Sequence, residues 1–140
     1  TRVWKAGDEI EISMDLTDQL LQGQSLSEEM KKEAWNTTPY REFFEKYGNF
    51  PNYRAIKHGP QVLAIDGFLS ELDDAGQATL KPDRPMILQP VDDILPKGWV
   101  GNQAYTCSAL ESPAAKPVIL VPFSDAGQTG GDIRVWIEEG

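Results

Sequence analysis

The residue types able to do chemistry gather in a few places along the chain. Three glycines, Gly127, Gly130 and Gly131, lie in the run VPFSDAGQTGGDIRVWI from Val121 to Ile137. A glycine loop of this kind can cradle phosphate on its backbone N–H groups. That needs a Lys after the glycines and a helix whose N-terminus adds positive potential. Here Gly131 is followed by Asp132, which repels phosphate, and then by residues of period two. The run therefore predicts a hairpin, Val118–Phe123 against Asp132–Ile137, with the glycines supplying the positive φ angles of a wide loop.

Paired carboxylates could hydrolyse glycosides across a gap of roughly 5 to 9 Å. Asp73-Asp74 and Asp92-Asp93 are adjacent in turn-rich stretches, and Asp125 and Asp132 flank the glycine loop. Nothing in their surroundings marks one member as a proton donor, and no catalytic residue is assigned. His58 is the single histidine and Cys107 the single cysteine. No metal-ligand spacing exists, no internal disulfide is possible, and no G-x-S-x-G nucleophile turn is present. Cys107 has the surroundings of a small buried side chain, and His58, just before Gly59-Pro60, those of a strand-edge structural residue. No cofactor and no metal are expected. Trp99, Tyr105 and Trp136 are the candidates for stacking on a sugar, Trp99 because Pro96-Lys97-Gly98 places it in a loop. Trp99 is also well suited to simple packing across the end of a sandwich.

These groups must be held by a β framework. Glu9–Leu16 alternates Ile10, Ile12, Met14 and Leu16 with Glu9, Glu11, Ser13 and Asp15, the pattern of a half-buried strand. With Arg2–Trp4 and the turn at Gly7-Asp8 it predicts a hairpin. Further strands are expected at Val62–Ile65, Met86–Leu88, Gln103–Ala109 and Asp132–Ile137. Val118–Phe123 is nearly all apolar and is expected to be central and covered on both faces. Residues 17–53 break the pattern. Ser25-Leu26-Ser27-Glu28 resembles a capping box, Thr38-Pro39 a helix start and Gly48 a helix stop. A helical insertion is expected near residues 25–48, rich in aromatics (Trp35, Tyr40, Phe43, Phe44, Tyr47, Phe50, Tyr53) that pin it to the sheet or offer a platform for a sugar or a neighbouring domain. Asn36-Thr37-Thr38 is a glycosylation sequon. Short strands and frequent Pro and Gly together predict one domain over residues 1–140: mainly β, an antiparallel, jelly-roll-like β-sandwich.

The 140 residues carry a net charge of −9, with 40% hydrophobic and 25% charged residues. Such a surface repels nucleic-acid phosphates and anionic membranes and is compatible with a neutral partner such as a sugar polymer. No stretch approaches the roughly 18 apolar residues that span a bilayer.

Three segments in order resemble a known family. Arg2-Val3-Trp4-Lys5-Ala6-Gly7-Asp8, then Lys57-His58-Gly59-Pro60-Gln61-Val62-Leu63-Ala64, then Val121-Pro122-Phe123 with Arg134-Val135-Trp136, are similar to strands of the β-L-arabinofuranosidase-like glycoside hydrolases (family 127 and its relatives). The resemblance implies the C-terminal β-sandwich region of such an enzyme. Catalysis there belongs to an N-terminal (α/α)6 barrel with carboxylates and, in some members, zinc held by cysteines; none of those motifs stands in this chain. The long stretch Thr17–Tyr53 and the loop Asp125–Gly131 depart from the family pattern. The implied function is a non-catalytic accessory domain, not an enzyme by itself, partnered by the catalytic barrel and periplasmic or secreted. The alternative is an independent carbohydrate-binding module that holds oligosaccharide on exposed aromatics.

Overall fold

The structure, a computed structural model, describes residues 3, 5–25, 27–29, 32, 50–114 and 116–140. The chain is mainly β, as its patterning predicts. Among the described residues ten strands form one curled, mixed sheet: β1 (Asp18–Gln22), β2 (Tyr53–His58), β3 (Gln61–Asp66), β4 (Thr79–Leu80), β5 (Leu88–Pro90), β6 (Tyr105–Cys107), β7 (Leu110–Glu111), β8 (Ile119–Pro122), β9 (Ile133–Arg134) and β10 (Ile137–Glu139). The main path runs β5-β6-β8-β3-β2-β10-β4-β7, with β1 beside β2 and β9 beside β3.

The expected arrangement was two separate antiparallel sheets; the chain instead forms a continuous half-barrel, and two features explain it. The first is β3. Its start, Gln61 and Val62, pairs with β2, while Leu63, Ala64 and Ile65 pair with β8. One strand thus serves both halves of the sheet and joins them at a corner. The second is the step from β6 to β7. β6 lies next to one end of the sheet and β7 is the other end. Cys107 and Leu110, three residues apart, can be separated by at most about 11 Å, so the sheet must curl until its ends nearly meet. The ladder is also not wholly antiparallel, because β10 runs parallel to β4.

The core gathers side chains from across the curled sheet. Ile56, Leu63, Ile65, Leu80, Tyr105, Leu110, Leu120 and Ile137 form one buried cluster drawn from both halves. The expectation for Val118–Phe123 holds as far as Pro122: Val118 and all four positions of β8 are buried, while Phe123 begins a 3-10 turn and is exposed. Leu120 faces the main core, while Ile119 and Val121 pack on the other face with Ala104 against Leu69, Ile94, Leu95 and Trp99.

The β2–β3 turn is built by sequence. His58 pairs with Gln61 across Gly59-Pro60, and Gly59 has φ +55°. A positive φ at the first loop residue and proline's fixed negative φ at the second select a type II′ turn, whose twist suits paired strands. Past this tip the two strands splay apart, and the C-terminal segment fills the opening. β9 pairs with the far end of β3, and β10 with the far end of β2. Val135 and Trp136 form the bend between them. Arg54 on β2 then fastens β10 through Glu139 at 2.8 Å.

Several expectations are corrected here. Val118–Phe123 and Asp132–Ile137 are not the arms of a hairpin. β8 and β9 lie on opposite edges of β3, which passes between them. Asp132–Ile137 is two short strands broken by a bend rather than one. Residues 18–22, placed by the sequence in the insertion, form β1 and pair along β2. Glu9–Leu16 has no strand structure despite its alternation. The register Asp18↔His58, with the Gly59 N–H donating to the Thr17 carbonyl at 3.1 Å, carries the residues before Thr17 past the hairpin tip, where no strand among the described residues pairs with them. The Gly7 turn is present, closed by the Asp8 N–H on the Lys5 carbonyl at 3.0 Å; Arg2 and Trp4, the other arm of that expected hairpin, lie outside the described residues. Of the expected helical insertion, Glu28, Glu29 and Lys32 are described, with helical backbone; Trp35 to Tyr47 and the sequon lie outside the described residues.

Candidate functional site

The glycine loop does cradle an anion, but one belonging to the chain itself. Asp66, at the end of β3, is fully buried. Its Oδ2 accepts the Gly127 N–H at 2.9 Å and its Oδ1 the Leu69 N–H at 3.1 Å. Gly127 has φ +77°, which turns its N–H toward the carboxylate. Across the same region Asp132 accepts the Ala75 N–H at 3.0 Å on Oδ2, while its carbonyl accepts the Gly67 N–H at 2.8 Å. Asp66 and Asp132 thus hold loops. Asp125 accepts the Ser124 hydroxyl at 2.8 Å, and Asp74 accepts the Gly76 N–H at 2.7 Å.

His58 is placed at the last position of β2, in keeping with a strand-edge role, directly opposite Asp18 on β1. Its Nδ1–H donates to Asp18 Oδ1 at 2.6 Å; the carboxylate can only accept, so Nδ1 carries the proton. The imidazole lies against the Tyr105 ring, with centroids 5.2 Å apart and planes tilted by 47°. Burial raises the Tyr105 phenol, and the charge of Asp18 adds to the rise. Burial likewise pushes up the Cys107 thiol, against partly offsetting backbone hydrogen bonds. An acid-oriented imidazole is one ingredient of nucleophilic catalysis. A thiol held neutral by burial is a poor nucleophile, and the pair serves to fasten β1 to β2. Among the described residues no group of three or more His, Cys, Asp or Glu side chains is placed to hold a metal ion.

The three aromatic candidates are not brought together. Tyr105 is only 7% exposed and belongs to the main core. Trp99 packs on the smaller cluster behind β8, with its indole Nε1 buried and without a hydrogen-bond partner. Trp136 is 44% exposed, at the bend between β9 and β10. It lines a cleft of about 250 Å³ together with Tyr53, Asp74, Gly76, Arg134 and Glu138. Arg134 reaches Asp74 with Nη2 3.5 Å from Oδ1. It lies so close over Gly76 that a Cβ there would stand 2.6 Å from Nη2. The sequence names Trp136 as a stacking candidate and Tyr53, Asp74 and Arg134 in other connections, but does not bring them together. Tyr53, Asp74 and Glu138 are far apart in the chain and meet only because β10 lies between β2 and β4.

The other surface feature is the segment before β1. Ile10, Ile12, Met14 and Leu16 are between 56 and 77% exposed. Leu20 and Leu21 on β1 are also exposed. Asp15 is held ionised below the usual carboxylate range, chiefly by the Thr17 hydroxyl and then by the Thr17 N–H. Met14, Asp15 and Thr17 edge a shallow hollow over the hairpin tip with Lys57, Gly59 and Pro60.

Compared with protein-family models, with curated proteins and with solved structures, the chain gives no match.

Proposed function

We propose that this chain is a non-catalytic accessory β domain of a carbohydrate-active enzyme, a glycoside hydrolase of the β-L-arabinofuranosidase-like kind. It docks against the catalytic barrel of the same protein through the segment Glu9–Leu16. The observation that carries the docking is the exposed apolar row in that segment. Its period-two pattern is that of a strand with one buried face, yet among the described residues no strand pairs with it and its apolar side chains stay exposed. Burying the exposed remainder of four such side chains is worth roughly 4–6 kcal/mol at the usual transfer values. The acidic alternates Glu9, Glu11 and Asp15 keep the opposite face in water. The non-catalytic reading draws support from the carboxylates, since Asp66, Asp74, Asp125 and Asp132 are each engaged by N–H or hydroxyl donors within the fold. The enzyme class rests on the three segments quoted above, and the mainly β fold is compatible with it.

The test is the gene product as the cell makes it. The expected protein is several times heavier than 15.6 kDa and hydrolyses p-nitrophenyl β-L-arabinofuranoside. A native product of the size of this chain overturns the accessory-domain reading. A larger protein inert on aryl glycosides of all common sugars overturns the enzyme class.

A further inference from the structure

We infer that the cleft at Trp136 binds a single neutral sugar ring. The inference goes beyond the accessory-domain reading and does not depend on it, because the cleft's own chemistry carries it. Both signs of charge line the cleft. Asp74 and Glu138 would repel a phosphate or another anion, and Arg134, beside Asp74, offsets one of the two negative charges that would draw a cation. The Arg134 guanidinium already has its charge offset by Asp74 at 3.5 Å, and with Glu138 beside it the lining disfavours the carboxylate of an amino-acid zwitterion. An aliphatic ligand would strip water from three charged groups and return no hydrogen bonds. A peptide cannot add as a strand, because β10 is paired on both sides, with β2 and with β4.

A sugar satisfies every wall. Its hydroxyls donate to the carboxylates of Asp74 and Glu138 and accept from the guanidinium of Arg134, while its C–H face rests on the exposed indole of Trp136. Size agrees as well. The cleft's volume of about 250 Å³ lies below the roughly 300–1,000 Å³ of pockets for drug-sized ligands, which suits one ring rather than a polymer track. The cleft is also held open in advance. Gly76 leaves room for the guanidinium, and Asp74 binds both the Gly76 N–H and Arg134.

The experiment is a ¹H–¹⁵N NMR titration of the chain with D-glucose, D-galactose, D-xylose and L-arabinose, each in turn, and with glycine and L-glutamate as zwitterion controls. The expected result is a saturable shift of the Trp136 indole N–H with at least one sugar, at a Kd of about 1–10 mM. Glu138→Gln, on an exposed side chain, is expected to weaken it at least about tenfold, and Trp136→Ala to abolish it; Gly76→Ala, which displaces Arg134, is expected to weaken it too. No saturable shift with any sugar, a sugar response unchanged in both Glu138→Gln and Trp136→Ala, or a response confined to the amino acids overturns the inference. Should Trp136→Ala fail to fold, Glu138→Gln decides alone. None of these outcomes bears on the docking of residues 9–16.

Discussion

Replacing Asp66 by Asn probes the joint on which the C-terminal half of the fold is hung. The carboxylate accepts one N–H on each oxygen, from Leu69 at 3.1 Å and Gly127 at 2.9 Å, and is fully buried. The amide keeps only one acceptor oxygen, so an NH₂ group must face one of the two N–H donors. The loss is one charge-assisted hydrogen bond in a dry site, about 1.5–3 kcal/mol; relief from burying a charge offsets part of it, leaving about 2 kcal/mol. With an unfolding entropy of about 2.1 cal/mol/K per residue, a chain of this length loses about 7 °C in Tm. The assay is thermal unfolding followed by circular dichroism, with Asp83→Asn on an exposed turn as the control, expected to move Tm by less than about 2 °C. Amide exchange at Gly127 and Leu69 should accelerate in the Asp66 variant alone. If Asp66→Asn unfolds within about 2 °C of the unmodified chain, the carboxylate does not hold the glycine loop and the reading of that loop fails.

Leu120→Ala removes a fully buried side chain from the centre of the sheet and should cost about 2–5 kcal/mol in urea unfolding. Gly59→Ala forces a side chain onto φ +55° and within 2.7 Å of the Asp15 carbonyl oxygen, for a loss of about 1–3 kcal/mol. Cys107 should resist Ellman's reagent in the native state and react on unfolding, since burial raises its thiol. The same shift sets a pH dependence. Above the thiol's ordinary value of 9.0 the unfolded chain gives up a proton that the folded chain retains, so stability falls as pH rises. Cys107→Ala should remove this decline, leaving the decline that Tyr105 adds above its ordinary value of 10.0.

The parts of the fold legible in the sequence are those fixed by local composition. Val118–Phe123 and Val62–Ile65 are apolar runs too short for helices, and strands form at Ile119–Pro122 and Gln61–Asp66, buried from Ile119 to Pro122 and from Leu63 to Asp66. What was missed depends on neighbours distant in the chain. Alternation in Glu9–Leu16 reports a capacity to be a strand, but pairing needs a partner, and past the β1–β2 register the described residues offer none. β1 itself, DQLLQ, does not alternate and owes its structure to β2. The final hairpin was misplaced because closeness in sequence does not make strands adjacent when β3 can pass between them. The role of the glycine loop was hidden because its anion stands 61 residues away. At the cleft, Trp136 could be named from its type alone. Its setting could not, because the parallel β4–β10 pairing that gathers Asp74 and Glu138 has no local signature.

The central claim is that Glu9–Leu16 is a docking strand whose partner lies outside the fold described above. Hydrogen–deuterium exchange of that segment tests it most directly, measured in the 140-residue chain and in the whole gene product. The account predicts unprotected amides in the chain alone and protection of at least about a hundredfold in the gene product, abolished by Ile10→Asp with Ile12→Asp, while the β8 amides stay unchanged. Equal, fast exchange of residues 9–16 in both proteins would contradict it.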